Sequence, residues 1–396
     1  MDFKSYNFQN KRALVRVDFN VPLDGNGRVT DDTRIKMALP TINWILKAGG
    51  SVVLLSHLGR PNDEPDSSYS LRQIIPCLEN LLNKNITFCN DCIDENSQII
   101  TENLKPGCIV LLENLRFYKE EKLGDEDFAK TLSKHGDVYV NDAFGTAHRS
   151  HASTSIIANF FPKDKMFGFL IQNEIKSVET VLNSSKHPLT AIVGGAKVSS
   201  KITIILKLIE KVDHLIIGGG MAYTFIKAQR GSIGKSLVEE DYLDLAIEIL
   251  DKAKKRNVQI HLPSDALCCK EFDNNSVSTS RSIYKIPNDE MGLDIGEASI
   301  KNFEEVIKKS SLILWNGPMG VFEMSNFRKG TQSVANAIVS ATENNAFSLI
   351  GGGDSVAAIN LFKLADKVSH VSTGGGAMLE YLEGKELPGI KSIRSL

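Results

Sequence analysis

Short apolar runs rich in β-branched residues recur along the chain. They alternate with longer segments in which apolar positions return every three or four residues. That alternation is the pattern of βα units wound about a parallel sheet. In the first half the runs predict strands over residues 13–17, 51–55, 86–88, 109–112 and 138–140. In the second half they predict strands over 189–193, 215–217, 258–262, 312–315, 347–350 and 370–371. Helical spacing predicts helices over 34–47, 71–82, 241–256 and 355–367, with apolar faces that belong in a core. A further helical stretch, 172–183, falls where the two strand series meet and reads as a connector. The expected fold class is α/β, with two Rossmann-like doubly wound parallel-sheet lobes joined by a connecting helix and hinge.

Length supports the same division, because 396 residues exceed what one core usually organises. Hydrophobic residues at 42% and charged residues at 24% suit a globular protein with a large buried core. The formal net charge of −2 supplies no general positive field, which argues against nucleic acid as a partner. The apolar runs are too short to span a bilayer, and the first residues lack a secretory pattern, so a cytoplasmic protein is expected. In that compartment the six cysteines, at 77, 89, 92, 108, 268 and 269, are expected to be reduced thiols. Cys89 and Cys92 form a CxxC, but a structural zinc would need a second ligand pair, and the only other close pair is the adjacent Cys268 and Cys269. Asn85, Asn183 and Asn274 sit in glycosylation-like triplets and read as plain surface residues for the same reason.

Open α/β sheets bind ligands beyond the carboxyl ends of their strands, and the distinctive residues stand there. After the early strands come Asp18-Phe19-Asn20, His57-Leu58-Gly59-Arg60, Glu113-Asn114-Leu115-Arg116 and Asn141-Asp142, the last running on to His148-Arg149. Arg34, Arg60, Arg116 and Arg149 with His57 and His148 would converge if these ends share one crevice. Planar guanidinium forks suit a small, doubly anionic substrate. Asp18 and Asn20 can hold a hydroxyl group. Taken singly, each arginine reads as readily as a surface ion-pair residue.

The later strands are followed by Gly194-Gly195-Ala196-Lys197, Gly218-Gly219-Gly220, Asn316-Gly317-Pro318, Gly351-Gly352-Gly353-Asp354-Ser355 and Thr373-Gly374-Gly375-Gly376. Glycines let backbone amides approach an anion, and a following helix N-terminus adds partial positive charge. A helix capped by Ser199 or Ser200 would set Lys197 and Lys201 one turn apart to meet one triphosphate. Asp354 can ligate magnesium or cap the helix behind it, and Glu323 can accept from a ribose. Gly234-Lys235-Ser236 resembles the end of a Walker loop, but Gln229 stands where its first glycine is required. No GxGxxG and no protein-kinase HRD or DFG set occurs.

In order, VRVDFNVP (15–22), HLGRP (57–61), LLENLRF (111–117), NDAFGTAHRSHAST (141–154), VGGAKVSSK (193–201), WNGPMGVFE (315–323), GGGDS (351–355) and STGGGA (372–377) closely resemble the phosphoglycerate kinase family across nearly the whole chain. The resemblance implies an amino-terminal lobe, residues 1–170 with a returning segment 380–396, that binds 3-phosphoglycerate or 1,3-bisphosphoglycerate. Its contacts would be Asp18, Phe19, Asn20, Arg34, His57, Leu58, Gly59, Arg60, Arg116, His148 and Arg149. Residues 171–184 would connect to a nucleotide lobe, 185–379. ATP or ADP would be held there by Gly195, Lys197, Lys201, Gly219, Gly220, Gly292, Asn316, Pro318, Val321, Glu323, Gly351, Gly352, Gly353, Asp354 and Ser355, with Mg2+ on Asp354.

Arg34 and Lys197 would be the catalytic residues of a direct in-line transfer in glycolysis, completed by lobe closure about hinges at 172–183 and 373–376. The family suggests a monomer. One departure is Glu290, which precedes Met291 where the family commonly has Trp, on the expected adenine side. Two rival readings are a phosphohistidine route through His57 or His148 and an inactive two-lobed anion binder.

Overall fold

The computed structural model describes residues 2–395. In chain order the first part holds β1 (Arg12–Arg16), α1 (Thr33–Lys47), β2 (Ser51–Leu55), α2 (Ile75–Leu82), β3 (Ile86–Cys89), α3 (Glu95–Glu102), β4 (Ile109–Leu112), α4 (Lys119–Leu123), α5 (Glu126–Ser133), β5 (Val138–Asn141), β6 (Lys165–Phe167) and α6 (Phe169–Asn183). The second part continues with β7 (Leu189–Val193), α7 (Ile202–Leu208), β8 (His214–Ile217), α8 (Met221–Ala228), β9 (Ser232–Ile233), α9 (Leu243–Lys255), β10 (Gln259–His261), β11 (Asp265–Cys269), β12 (Thr279–Ser282), β13 (Lys285–Ile286) and β14 (Met291–Ile295). It ends with α10 (Glu297–Lys308), β15 (Leu312–Asn316), α11 (Lys329–Glu343), β16 (Phe347–Ile350), α12 (Gly353–Leu361), β17 (His370–Val371), α13 (Gly376–Leu382) and α14 (Pro388–Arg394). The chain divides into two compact units, Met1–Lys176 with Lys385–Leu396, and Ser177–Gly384, so the division falls within α6.

In the first unit six parallel strands run in the order β3-β4-β2-β1-β5-β6. Strands buried on both faces read as continuous apolar runs, and β2 (SVVLL) and β4 (IVLL) are buried at every position. Alternate residues feed opposite layers. Val15, Val52 and Leu54 pack with Ile35, Ile42 and Ile45 of α1, while Leu14, Val53 and Val110 pack with Phe128 and Leu132 of α5. Each such buried side chain contributes about 1.5–3 kcal/mol of transfer free energy. The final helix belongs to this unit: Gly389 donates its amide to Ala147 O at 2.8 Å, and Asn141 Nδ2 donates to Gly389 O at 3.2 Å.

The second unit has six parallel strands in the order β10-β8-β7-β15-β16-β17. Strand order reverses between β7 and β15, which makes the carboxyl ends of those two strands the topological switch point. A small antiparallel sheet, β12-β11-β14, and the pair β13-β9 flank it.

The expected helix at 71–82 is two pieces, a 3-10 turn at Leu71–Ile74 and α2, because Pro76 near the start of α2 has no amide to continue a ladder. The expected helix at 355–367 likewise begins earlier and stops at Leu361. Lys363 takes a left-handed φ of 56°, and a 3-10 turn over Ala365–Lys367 follows. Strands β6, β9, β11, β12, β13 and β14 have no counterpart among the expected elements. β12 (TSRS) is mostly exposed and carries no apolar alternation to detect.

Candidate active site

At the carboxyl edge of the first sheet, the loops after β1, β2 and β4 are fastened through Gly59. Its amide donates to Asn20 Oδ1 at 2.8 Å, and its carbonyl accepts from Arg116 Nη1 at 2.9 Å. Gly59 has φ +63°, and a Cβ there would overlap the ring of Tyr69, so only glycine fits the turn. Arg34, in the first turn of α1, donates to Asp18 Oδ2 at 3.0 Å and to Asn20 O at 3.1 Å. His57 Nδ1 lies 4.0 Å from Asp18 Oδ1, so Asp18, Asn20, Arg34, His57, Gly59 and Arg116 are brought together. His148 accepts from Arg149 Nε at 3.3 Å, and Arg149 and Arg60 are exposed. Phe19 and Leu58 are core residues, 0% and 3% exposed, so only their backbone can face a ligand. The Phe19 amide donates to Ser56 Oγ at 2.8 Å.

The cluster is cation-rich. Burial, with Arg149 and Arg16 nearby, pushes the Arg116 guanidinium down to about 10. Burial, then Arg16, Arg116 and Arg34, hold His57 well below the usual histidine range, so its ring is neutral. Burial, then Arg16 and Arg149, push His151 down to about 4. A site in which cations destabilise one another and hold histidines neutral gains most when an anion enters. Arg16, Glu121, His151 and Ser153 were absent from the residues expected at the site. Arg16, His151 and Ser153 lie inside quoted motifs, but nothing in a linear pattern shows that Arg16 turns inward.

In the second unit a cavity of about 460 Å3 opens at the switch point. Of the expected nucleotide residues it is lined by Gly195, Gly219, Gly220, Gly292, Pro318, Val321, Glu323 and Asp354. Tyr223, Lys235, Leu237, Phe272, Met291 and Leu293 also line it, giving one apolar end suited to a flat ring. The walls are backbone held to backbone. Gly195 N donates to Pro318 O at 3.1 Å, Gly219 N to Met319 O at 3.1 Å, and Val321 N to Leu293 O at 2.8 Å. A Cβ on Gly219 would stand 2.6 Å from Gly195 N. One on Gly194 would stand 2.7 Å from Gly317 O and closer still to Pro318 O.

Several details differ from expectation. The amides of Gly195 and Gly219 are engaged with neighbouring loops, which leaves the first turn of α12, at Gly353, Asp354 and Ser355, as a source of unpaired helical amides. Ser199 and Ser200 do not cap α7, which starts only at Ile202. Ser199 instead donates its amide and hydroxyl to Glu239 at 2.9 and 2.6 Å, and Ser200 Oγ donates to Lys197 O at 2.9 Å. Lys197 and Lys201 thus sit in a turn ahead of the helix, with Lys197 exposed.

Lys201, Asn316, Gly351 and Ser355 stand behind the lining. Lys201 Nζ bonds Asn316 Oδ1, Asn316 Nδ2 donates to Gly351 O at 2.8 Å, and Gly317 N donates to Ser355 Oγ at 2.5 Å. Burial lowers the Lys201 pKa, with Asp354 opposing. Asp354 stands in the first turn of α12 and lines the cavity. Glu290 is outside the lining, bound to Arg281 by bonds of 2.9 and 2.7 Å.

Cys92 is buried and donates Sγ–H to Glu113 O at 2.9 Å, and burial pushes its thiol well up. Among the described residues no cluster of three or more His, Cys, Asp or Glu is arranged to hold a metal. Among them no helix is long and apolar enough to cross a membrane.

Two doubly wound units, one ending in an arginine cluster and the other in a glycine-walled cavity, define an α/β protein of the anion- and nucleotide-handling class. The family model for phosphoglycerate kinase matches residues 3–385. The chain is 51% identical over 418 residues to phosphoglycerate kinase of Porphyromonas gingivalis, with 100% of each covered. It is 48% identical over 393 residues to the chloroplastic phosphoglycerate kinase of Volvox carteri, covering 99% of this chain and 85% of that one. The solved structure of phosphoglycerate kinase from Coxiella burnetii matches with a TM-score of 0.89 at 40% identity, over 98% of this chain and 97% of that one. The chain belongs to the phosphoglycerate kinase family, and it is a phosphotransferase.

Proposed function

We propose that the protein moves a phosphoryl group reversibly between the acyl phosphate of 1,3-bisphosphoglycerate and ADP, giving 3-phosphoglycerate and ATP, as a cytoplasmic monomer in glycolysis. Residues 1–170 with 380–396 bind the phosphoglycerate, 185–379 bind the nucleotide, and 171–184 connect them. The observation that carries this reading is the pairing of a mutually repelling arginine cluster on one sheet edge with a cavity for a flat ring and phosphates on the other. Arg34, Arg60, Arg116 and Arg149 hold the carboxylate and phosphate of the substrate, and Asn20 and Asp18 hold its hydroxyl.

In the nucleotide cavity Tyr223, Leu237 and Phe272 receive the base, Glu323 the ribose, and the amides of the α12 first turn the phosphates. Asp354 is the carboxylate that would hold Mg2+ on the nucleotide. A single protein carboxylate suits an ion held mostly by phosphates and water. When bound, that ion neutralises phosphate charge. Within the nucleotide unit Lys197, exposed and unconstrained by the α7 ladder, is the cation assigned to the transferring group, and within the phosphoglycerate unit that assignment falls to Arg34. Transfer is direct. His57, at 3% exposure, is poorly placed to become a phosphohistidine.

The test is a coupled assay with ATP, Mg2+ and 3-phosphoglycerate on wild type and Lys197→Ala. The account predicts acyl phosphate formation by wild type and a loss in kcat of at least about a hundred-fold in the variant, with modest KM changes. An unchanged single-turnover rate in Lys197→Ala would remove the lysine from its role.

A further inference from the structure

Behind the arginines of the first unit lies a buried ionic chain that the transfer described above does not use. Glu121 of α4 is 1% exposed and takes two hydrogen bonds from one residue: the Ser153 amide at 2.9 Å to Oε2 and the Ser153 hydroxyl at 2.6 Å to Oε1. The same hydroxyl accepts from Arg16 Nε at 2.8 Å. Arg16 is also 1% exposed. Its Nη1 donates to Val17 O, and its Nη2 faces His57 Nδ1 at 3.5 Å. His151 Nδ1 stands 3.8 Å from Glu121 Oε1.

Both oxygens of Glu121 act as acceptors, the pattern of an ionised acid. Burial raises its pKa, and Arg16 and the Ser153 bonds oppose that rise. A buried guanidinium needs a counter-charge. Asp18 is paired with Arg34 at 3.0 Å, so Glu121 is the acid left to Arg16. Two groups face His57 Nδ1, Arg16 Nη2 at 3.5 Å and Asp18 Oδ1 further off at 4.0 Å; arginine only donates, so a hydrogen bond from the nearer group takes Nδ1 as acceptor and puts the ring proton on Nε2.

We propose that Glu121 is a positioning residue for phosphoglycerate: through the Ser153 hydroxyl it fixes Arg16, and Arg16 fixes His57 as the Nε2–H tautomer, a neutral donor to a substrate oxygen. The inference rests on the reading that the first unit binds 3-phosphoglycerate. Glu121→Gln removes the charge and turns an NH2 toward a Ser153 donor, whereas Ser153→Ala keeps the carboxylate and removes the relay.

On the intact protein, the KM for each substrate and the ring 15N shifts of His57 are measured for both variants, with Arg116→Ala as control. Each variant should raise the KM for 3-phosphoglycerate about ten-fold, the effect of one charge-assisted hydrogen bond, and leave that for ATP within about two-fold. The His57 shifts should move from a single Nε2–H tautomer toward an average of two. Should Glu121→Gln not fold, Ser153→Ala decides by the same readouts. If Arg116→Ala raises the KM while the folded variants keep wild-type KM and His57 shifts, the inference is overturned. If Arg116→Ala also leaves the KM unchanged, the placement of 3-phosphoglycerate on the first unit falls, and this inference with it.

Discussion

The two units build anion-suited sheet edges by opposite means. In the first, the sheet edge carries long side chains whose charges crowd one another: Arg34 leans on Asp18, Arg116 on a backbone carbonyl, and Arg16 on Ser153. In the second, glycine-rich loops follow the strands and lie close enough that Gly194 and Gly219 have no room for a Cβ. Side-chain charge gives strength and can be removed one group at a time. Backbone walls give shape, and one methyl group in the wrong place disturbs the whole wall. A small anion without a ring is suited to the first construction, a nucleotide to the second.

Gly194→Ala should break the contrast most severely. Its Cβ meets two carbonyl oxygens that cannot swing away, so the cavity distorts. The second unit should lose roughly 3 kcal/mol or more of stability, and nucleotide binding should weaken beyond about thirty-fold, while 3-phosphoglycerate still binds. Calorimetric titration of both ligands checks this. Arg116→Ala comes next, with 3-phosphoglycerate affinity falling about ten- to hundred-fold and ADP affinity unchanged, because one fork is lost from a side-chain site.

The effect expected to touch ligand affinity least concerns pH and the support beneath the first site. Asp142, at the end of β5, is 0% exposed. Its Oδ1 accepts the Ile171 amide at 3.2 Å, and Thr41 and the Leu170 amide stand close enough to oppose the effect of burial on its carboxyl. Burial pushes this carboxyl up to about 7. Its folded value lies above that of the unfolded chain, near 4, so the folded chain keeps a proton that the unfolded chain releases. The stability from this group is full below about pH 4 and is lost as pH rises through about 7. Asp142→Asn should therefore raise stability at pH 8, by at most about 4 kcal/mol, and flatten the dependence between pH 5 and 8. Parallel melting curves for wild type and variant across that range would count against it.

Much of this is legible in the sequence. Fully buried parallel strands such as β2 and β4 announce themselves as continuous apolar runs, and the residues after them carried the arginines and glycines. What could not be read depends on direction and distance in space. Arg16 is the last residue of β1, and only the fold shows that it turns inward to Ser153, 137 positions away. The apolar end of the cavity is assembled from Tyr223, Leu237, Phe272 and Met291, drawn from four separate segments with no shared motif. Ser199 looked like a helix cap by type, but Glu239 offers it two stronger acceptors, and the helix starts later. The short, exposed strand β12 lacks the alternation by which strands are recognised.

The account turns on which unit holds which ligand, and backbone amide shifts of the intact protein, titrated separately with 3-phosphoglycerate and with ADP and Mg2+, test it most directly. The account predicts that 3-phosphoglycerate moves the resonances around Asp18, Asn20, His57, Gly59 and Arg116, and that ADP moves those around Gly195, Gly219, Gly292, Val321 and Asp354. Shifts of the glycine-walled residues by 3-phosphoglycerate alone, with the arginine cluster silent, would contradict it.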